Sequence, residues 1–225
     1  MTVPVATQAG CFITFEGLDG SGKTTVLNFI EQRLRQRRIP ILVTREPGGT
    51  RIGDEIRQIL LKTSHRGMVA KTELLLYAAD RAQHVQERIL PALRQGRVVL
   101  CDRYIDATLA YQGYGRGFDL DWIERLMEFA TDGLKPDLTI VLDLDVAEAQ
   151  ARLRRRNAGI SGTGHDRLDA ETVEFHERVR RGYLALAQRE PQRIKVISAA
   201  GTVEETCQAA LELVETLLRR REHSV

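Results

Sequence analysis

The sequence predicts an α/β fold: a three-layer arrangement in which a five-stranded parallel sheet is flanked by helices, with a mobile lid over one edge. Three observations predict it. Short apolar, β-favouring runs alternate with amphipathic stretches along the chain, the pattern of a parallel sheet covered on both faces. The first run feeds Gly17-Leu18-Asp19-Gly20-Ser21-Gly22-Lys23-Thr24, which is glycine, four residues, then Gly-Lys-Thr. Charged groups come directly after the later strands, where ligands of such sheets bind.

The glycine-rich run defines a phosphate-binding loop and with it the P-loop NTPase fold. A triphosphate packs several negative charges into a small volume, and backbone N–H groups surround it only where side chains are absent. Lys23 supplies a point charge for the β and γ phosphates, and the Thr24 hydroxyl suits Mg²⁺. The contacts of a nucleoside triphosphate therefore fall on Gly17, Leu18, Asp19, Gly20, Ser21, Gly22, Lys23, Thr24 and Thr25. Cys11–Glu16 is the apolar strand that such a loop needs before it. Residues 24–38 form the helix after it, whose N-terminus faces the phosphates and whose apolar face is Val26, Leu27, Phe29, Ile30 and Leu34.

The remaining elements come in turn. Ile41–Arg45 is a strand opened by Pro40, and 52–62 a helix ending in a polar loop through Gly67. Residues 71–95 are helical, with Pro91 as a kink or a new start. A third strand at 97–101 ends at Asp102. A short helix at 105–112 runs into a flexible loop at 113–117. Asp119 caps a helix to 131. The strand at 138–142 is followed by a helix at 146–156, a mobile Gly- and Ser-rich stretch at 157–165, and a long helix at 170–188. The strand at 194–197 and the helix at 202–221 close the chain. Residues 1–10 read as a flexible tail, and 11–222 as one domain with its lid near 152–168.

Composition narrows the function. A net charge of +2 in 225 residues gives no basic track for nucleic acid. No apolar run is long enough to span a bilayer. Three cysteines, Cys11, Cys101 and Cys207, lack metal-ligand spacing and read as reduced thiols of a cytoplasmic protein. The five histidines are scattered and read as solvated, without a role. A regulatory GTPase normally carries Asn-Lys-x-Asp after a later strand, and Asp143-Leu144-Asp145 is not that pattern.

Asp102 ends an apolar strand, the position of a metal-side carboxylate, and Arg103 beside it suits a phosphate. Here the chain resembles the bacterial thymidylate kinases. The resemblance rests on Phe15-Glu16-Gly17-Leu18-Asp19-Gly20-Ser21-Gly22-Lys23-Thr24-Thr25 and on Thr44-Arg45-Glu46-Pro47-Gly48-Gly49-Thr50. It also rests on Leu76-Tyr77-Ala78-Ala79-Asp80-Arg81, Asp102-Arg103-Tyr104, Ala110-Tyr111-Gln112-Gly113 and Asp166-Arg167-Leu168, in family order from about residue 11 to 190. It implies transfer of a phosphoryl group from ATP to dTMP, giving ADP and dTDP, with Mg²⁺ and in a homodimer, for which the apolar faces around residues 74–89 offer a surface. By resemblance Tyr77 stacks on thymine, Arg81 bonds a thymine carbonyl, and Thr108 and Gln112 lie near the base. Arg57 and Arg103 surround the dTMP phosphate, Asp19 lies near the sugar 3′-hydroxyl, Tyr111 below the sugar, and Glu46 near the sugar and the metal waters. Thr24 is the direct metal ligand, with Asp102 and Glu46 acting through water.

The cluster Arg152, Arg154, Arg155, Arg156 precedes the lid stretch. An arginine closing over the moving phosphoryl group stabilises its charge and excludes water. In one family arrangement this arginine sits in the phosphate loop. Here that position is Gly20, so the lid supplies it, with Arg152 and Arg156 the best match and Arg167 following the flap. The register leaves open which of Arg154, Arg155 and Arg156 reaches the γ phosphate. The runner-up function is a nucleotide kinase with the same ATP site and another acceptor.

Overall fold

The computed structural model of the protein describes residues 10–158 and 167–222. Most of the expected tail, the centre of the expected lid, His165 and His223 lie outside the described residues. Gly10 already belongs to the folded body: its N–H donates to the Leu93 carbonyl at 3.0 Å.

Five strands form one parallel sheet. They are β1 (Cys11–Glu16), β2 (Ile41–Arg45), β3 (Val98–Asp102), β4 (Leu138–Asp143) and β5 (Ile194–Ser198), in the order β2-β3-β1-β4-β5. All six residues of β1 are buried. Successive side chains of a strand point to opposite faces, so both faces of the central strand are covered. The edge strands β2 and β5 are only partly buried. Register aligns the strand ends that matter: Phe15 lies opposite Asp102, and Asp102 opposite Arg45. The loops after β1, β2 and β3 therefore open side by side.

Helix α1 (Lys23–Gln36) packs on β1, β2 and β3 and against α9 (Val203–Glu222), which reaches β4 and β5. Its buried residues include Val26, Leu27, Ile30 and Leu34, the predicted stripe with Phe29 at its margin. Helix α2 (Arg51–Leu61) is capped by Thr50, whose side chain accepts from the Gly53 N–H. It packs on α3 (Ala70–His84), which also meets α6 (Leu120–Thr131). The 71–95 stretch is continuous. A π-helical turn over Val85–Ile89 widens it just before Pro91, and α4 (Leu90–Arg94) completes it. Proline lacks an N–H and crowds the carbonyl four residues back, and a wider turn relieves both.

The segment 113–117 differs from the expected flexible loop. Helix α5 (Ile105–Thr108) continues as a π-helical turn over Leu109–Gly115. A Cβ on Gly113 would lie 2.4 Å from Leu120 and one on Gly115 2.7 Å from Phe175. These glycines permit close packing rather than mobility. Helix α7 (Val146–Asn157) precedes the stretch expected as the lid, and α8 (Val173–Arg189) packs on the π-helical turn and on β5. Among the described residues no helix is long and apolar enough to cross a membrane.

Candidate active site

A cavity of about 730 Å³ lies over the carboxyl ends of the strands. Its floor is the phosphate loop. Gly22 precedes α1 in the left-handed region, and no side chain caps the helix. The first N–H groups of α1 are thus left for an anion, at the positive end of the helix dipole. Lys23 folds back across the loop, its Nζ donating to the carbonyls of Gly17 (3.1 Å) and Leu18 (2.9 Å). Burial, and then the Arg103 charge, lower its pKa. Gly17 and Leu18 therefore lie beneath the site, whereas Asp19, Gly20, Ser21, Gly22, Lys23, Thr24 and Thr25 line it. At Gly20 the backbone is left-handed, and a Cβ would fall 2.3 Å from the Ala149 carbonyl oxygen. No side chain fits there, so the loop offers none at this position.

Beside the loop, the end of β3 presents Asp102 and Arg103. The Thr24 hydroxyl lies 3.4 Å from Asp102 Oδ2 and donates to it. Asp102 Oδ1 is buried and has no hydrogen-bond partner among the described residues. A hydroxyl next to an unsatisfied carboxylate oxygen, at the helix N-terminus, is a donor set that fits hydrated Mg²⁺ on a nucleotide. Among the described residues no cluster of three or more acidic, His or Cys side chains forms a protein-only metal cage.

Arg103 has φ of 71°, left-handed for a residue with a side chain. Its guanidinium donates to both oxygens of Asp19 (2.9 and 3.0 Å), to the Tyr111 hydroxyl (3.2 Å) and to the Tyr183 hydroxyl (3.2 Å). Burial acts to raise the Asp19 pKa, but the Arg103 and Lys23 charges win and hold it well below the usual carboxylate range.

The far end of the cavity is built on α3. Tyr77 lines it. Arg81, 1% exposed, donates to Glu46 Oε2 (2.6 Å), the Thr108 hydroxyl (2.8 Å), Met127 Sδ (2.7 Å) and the Tyr104 carbonyl (2.9 Å). A guanidinium has five N–H donors, so these four bonds leave one for the cavity. The Thr108 oxygen accepts from Arg81, which leaves its proton free to donate. Gln112 lines the cavity and donates its amide to Glu73 at 2.9 Å. Buried Glu73 also accepts from Arg116 and Arg167. Arg57 reaches the cavity wall while donating to the Pro47 carbonyl at 2.8 Å. Glu46 is buried, with its second oxygen 2.8 Å from His84 Nδ1. That corrects the reading of the histidines as solvated. His84 is fully buried and its other nitrogen lies 2.6 Å from the Thr44 hydroxyl. Its neighbours along α3 give no hint of Glu46 and Thr44, which arrive from β2 and the loop after it. His176 is buried as well.

This geometry has close counterparts among known proteins. The thymidylate kinase family model matches residues 15–210. The chain belongs to the thymidylate kinase family. The thymidylate kinase of Syntrophotalea carbinolica is 53% identical over 196 residues, 87% of this chain and 91% of that protein. That of Pelobacter propionicus is 46% identical over 217 residues, 96% and 99% of the two chains. The crystal structure of thymidylate kinase from Ehrlichia chaffeensis superposes with a TM-score of 0.73 at 32% identity, covering 92% of this chain and 99% of that one. The five-stranded parallel P-loop fold agrees with this family.

Of the arginines on α7, Arg152, Arg155 and Arg156 line the cavity, while Arg154 is exposed and does not. Glu148 accepts from Arg152 (3.0 Å) and Arg155 (3.1 Å), and Arg156 lies within electrostatic reach of Asp19. Arg167 is buried away from the loop, donating to the Leu60 carbonyl at 3.0 Å and to Glu73. One wall escaped the sequence reading: Ala199, Gly201, Val203 and Thr206, after β5. The rule applied to the other strands, to inspect the residues just past each carboxyl end, finds it when carried to the fifth.

Proposed function

We propose that this protein transfers the γ-phosphoryl group of ATP to dTMP, giving ADP and dTDP and supplying dTTP synthesis. The observation that carries this reading is one continuous cavity. It joins the phosphate loop to the Tyr77, Arg81, Thr108 and Gln112 pocket, with Arg103 between them. The donor phosphates lie on the loop and Lys23, and the donor base end on the wall after β5. The acceptor base stacks on Tyr77. Arg81 donates its remaining N–H to a base carbonyl. Arg57 and Arg103 hold the acceptor phosphate. Asp19 and Tyr111 border the sugar.

The attacking oxygen of dTMP is already anionic, so the chain needs no strong base. It brings two mutually repelling anions into line and neutralises their charge. Thr24 would hold Mg²⁺ directly and Asp102 would orient its water shell. Glu46, with both oxygens engaged by Arg81 and His84, would reach the ion only through water. When bound, Mg²⁺ would supply charge neutralisation at the nucleotide phosphates. Arg156, assisted by Arg152, approaches the transferred group from the lid; the closed space at Gly20 supports this assignment.

The protein acts as a cytoplasmic homodimer. Leu74, Val85 and Ile89 are used up in its own core, so of the surface expected at 74–89 Leu75 remains, extended by the exposed Ile52 and Ile59 of α2 and Val69 just before α3. Light scattering across a dilution series tests the dimer. ADP release from Mg-ATP with dTMP, dUMP, AMP, CMP or GMP, against a control without acceptor, tests the reaction. Turnover led by dTMP supports it. Equal turnover without acceptor makes the protein a hydrolase. Preference for another monophosphate removes the roles given to Tyr77, Arg81 and Thr108.

A further inference from the structure

The geometry points to Glu16 as a positioning residue for Arg103, acting on its backbone and its guanidinium at once. This rests on the reading of Arg103 as a ligand of the acceptor phosphate. Glu16 ends β1 and is fully buried. Its Oε1 accepts the Tyr104 N–H at 2.7 Å. Its Oε2 is joined to the Tyr183 hydroxyl at 2.8 Å, and that hydroxyl oxygen accepts from Arg103 at 3.2 Å. The Arg103 N–H itself donates to the Phe15 carbonyl at 3.0 Å. Both peptide N–H groups flanking Arg103's Cα are thus fastened to the end of β1.

Arg103 needs such fastening. A side-chain-bearing residue in the left-handed region is held only where its surroundings over-determine it. A bare need to satisfy one N–H does not explain a buried carboxyl, because a backbone carbonyl or a hydroxyl does that with less desolvation. The second oxygen gives the reason. It holds Tyr183, which comes from α8, against one terminal nitrogen of the guanidinium, whose other terminal nitrogen Asp19 and Tyr111 hold. Asp19 is the partner that an arriving phosphate competes with. Tyr183 is the one that stays and fixes the fork's direction.

The test compares wild type, Tyr183→Phe, Glu16→Gln, Arg103→Ala and Arg103→Ala/Tyr183→Phe by steady-state kinetics and thermal unfolding. Tyr183→Phe keeps the ring and removes only the link. It is expected to raise the KM for dTMP about tenfold, the loss of one charge-assisted hydrogen bond's worth of orientation. The KM for ATP stays unchanged. In the Arg103→Ala background the same substitution leaves the KM for dTMP unmoved, because nothing remains for Tyr183 to orient. An equal change in both backgrounds, or none in either, overturns the inference. If Glu16→Gln does not fold, Tyr183→Phe still decides it. Wild type without dTMP turnover overturns the acceptor reading itself, a result visible before any variant is made.

Discussion

Replacing Arg81 by Met tests the acceptor end of the site at its centre. Arg81 and Glu46 are both almost wholly buried, and Arg81 also holds Thr108, Tyr104 and Met127 in place. Methionine fills similar space without charge, so Glu46 keeps only His84 for company. Breaking a buried pair from one side costs about 3–5 kcal/mol, mostly from the charge left behind. For a chain of 225 residues, the unfolding entropy is about 0.5 kcal/mol/K, so the melting temperature should fall about 6–10 °C. Circular dichroism at fixed protein concentration without nucleotide reads this directly. Adding Glu46→Gln removes the stranded charge and should recover about half of the loss. A fall of less than about 3 °C refutes the reasoning, as does a deeper loss in the double variant.

Three further outcomes are expected. Burial pushes the Glu16 carboxyl up to about 8, with Asp106 adding to it, and burial with the Glu46 charge pushes Asp80 up to about 7. The folded state then binds these protons more tightly than the unfolded chain. Their contribution is full below the unfolded pKa and is lost as pH rises through the folded value. The melting temperature should therefore fall from about pH 5 to pH 9, and Glu16→Gln should flatten the upper part of that fall; a rise across this window contradicts the assignment. Gly20→Ala forces a Cβ against the Ala149 carbonyl in a left-handed backbone. A loss of about 2–4 kcal/mol in urea unfolding is expected, and a stable, fully active variant counts against the close packing of loop and α7. Arg156→Ala should lower kcat about 10³-fold with little change in the KM for dTMP, measured at saturating Mg-ATP; a change confined to KM instead makes Arg156 a binding residue.

How much the sequence disclosed depended on how local the physics was. The phosphate loop was legible because its glycines, Lys23 and Thr24 serve one another within a single turn of chain. The strand ends were legible as a set, because a parallel sheet places its carboxyl edges together, and Asp102 does stand opposite Phe15 and Arg45. Tyr77, Arg81, Thr108 and Gln112 were carried by resemblance, and the structure gathers them on one cavity. Glycines misled at 113–117, where small size serves close packing against Leu120 and Phe175. A sequence cannot tell that use of glycine from a flexible one, because the neighbour that needs the space is distant along the chain.

By itself, then, the sequence determined the alternation of strands and helices, the phosphate loop and the carboxyl edge on which the site sits. These arise from periodicities and backbone needs that act over a few residues. Only the tertiary structure decided what each charged side chain does once there. It placed His84 against Glu46, turned Gln112 and Arg167 on Glu73, and led Glu16 through Tyr183 to Arg103 across 167 residues of sequence. Buried charge is tolerable only when partnered, and the partners that satisfy it come from elements that meet only when the sheet and its helices close.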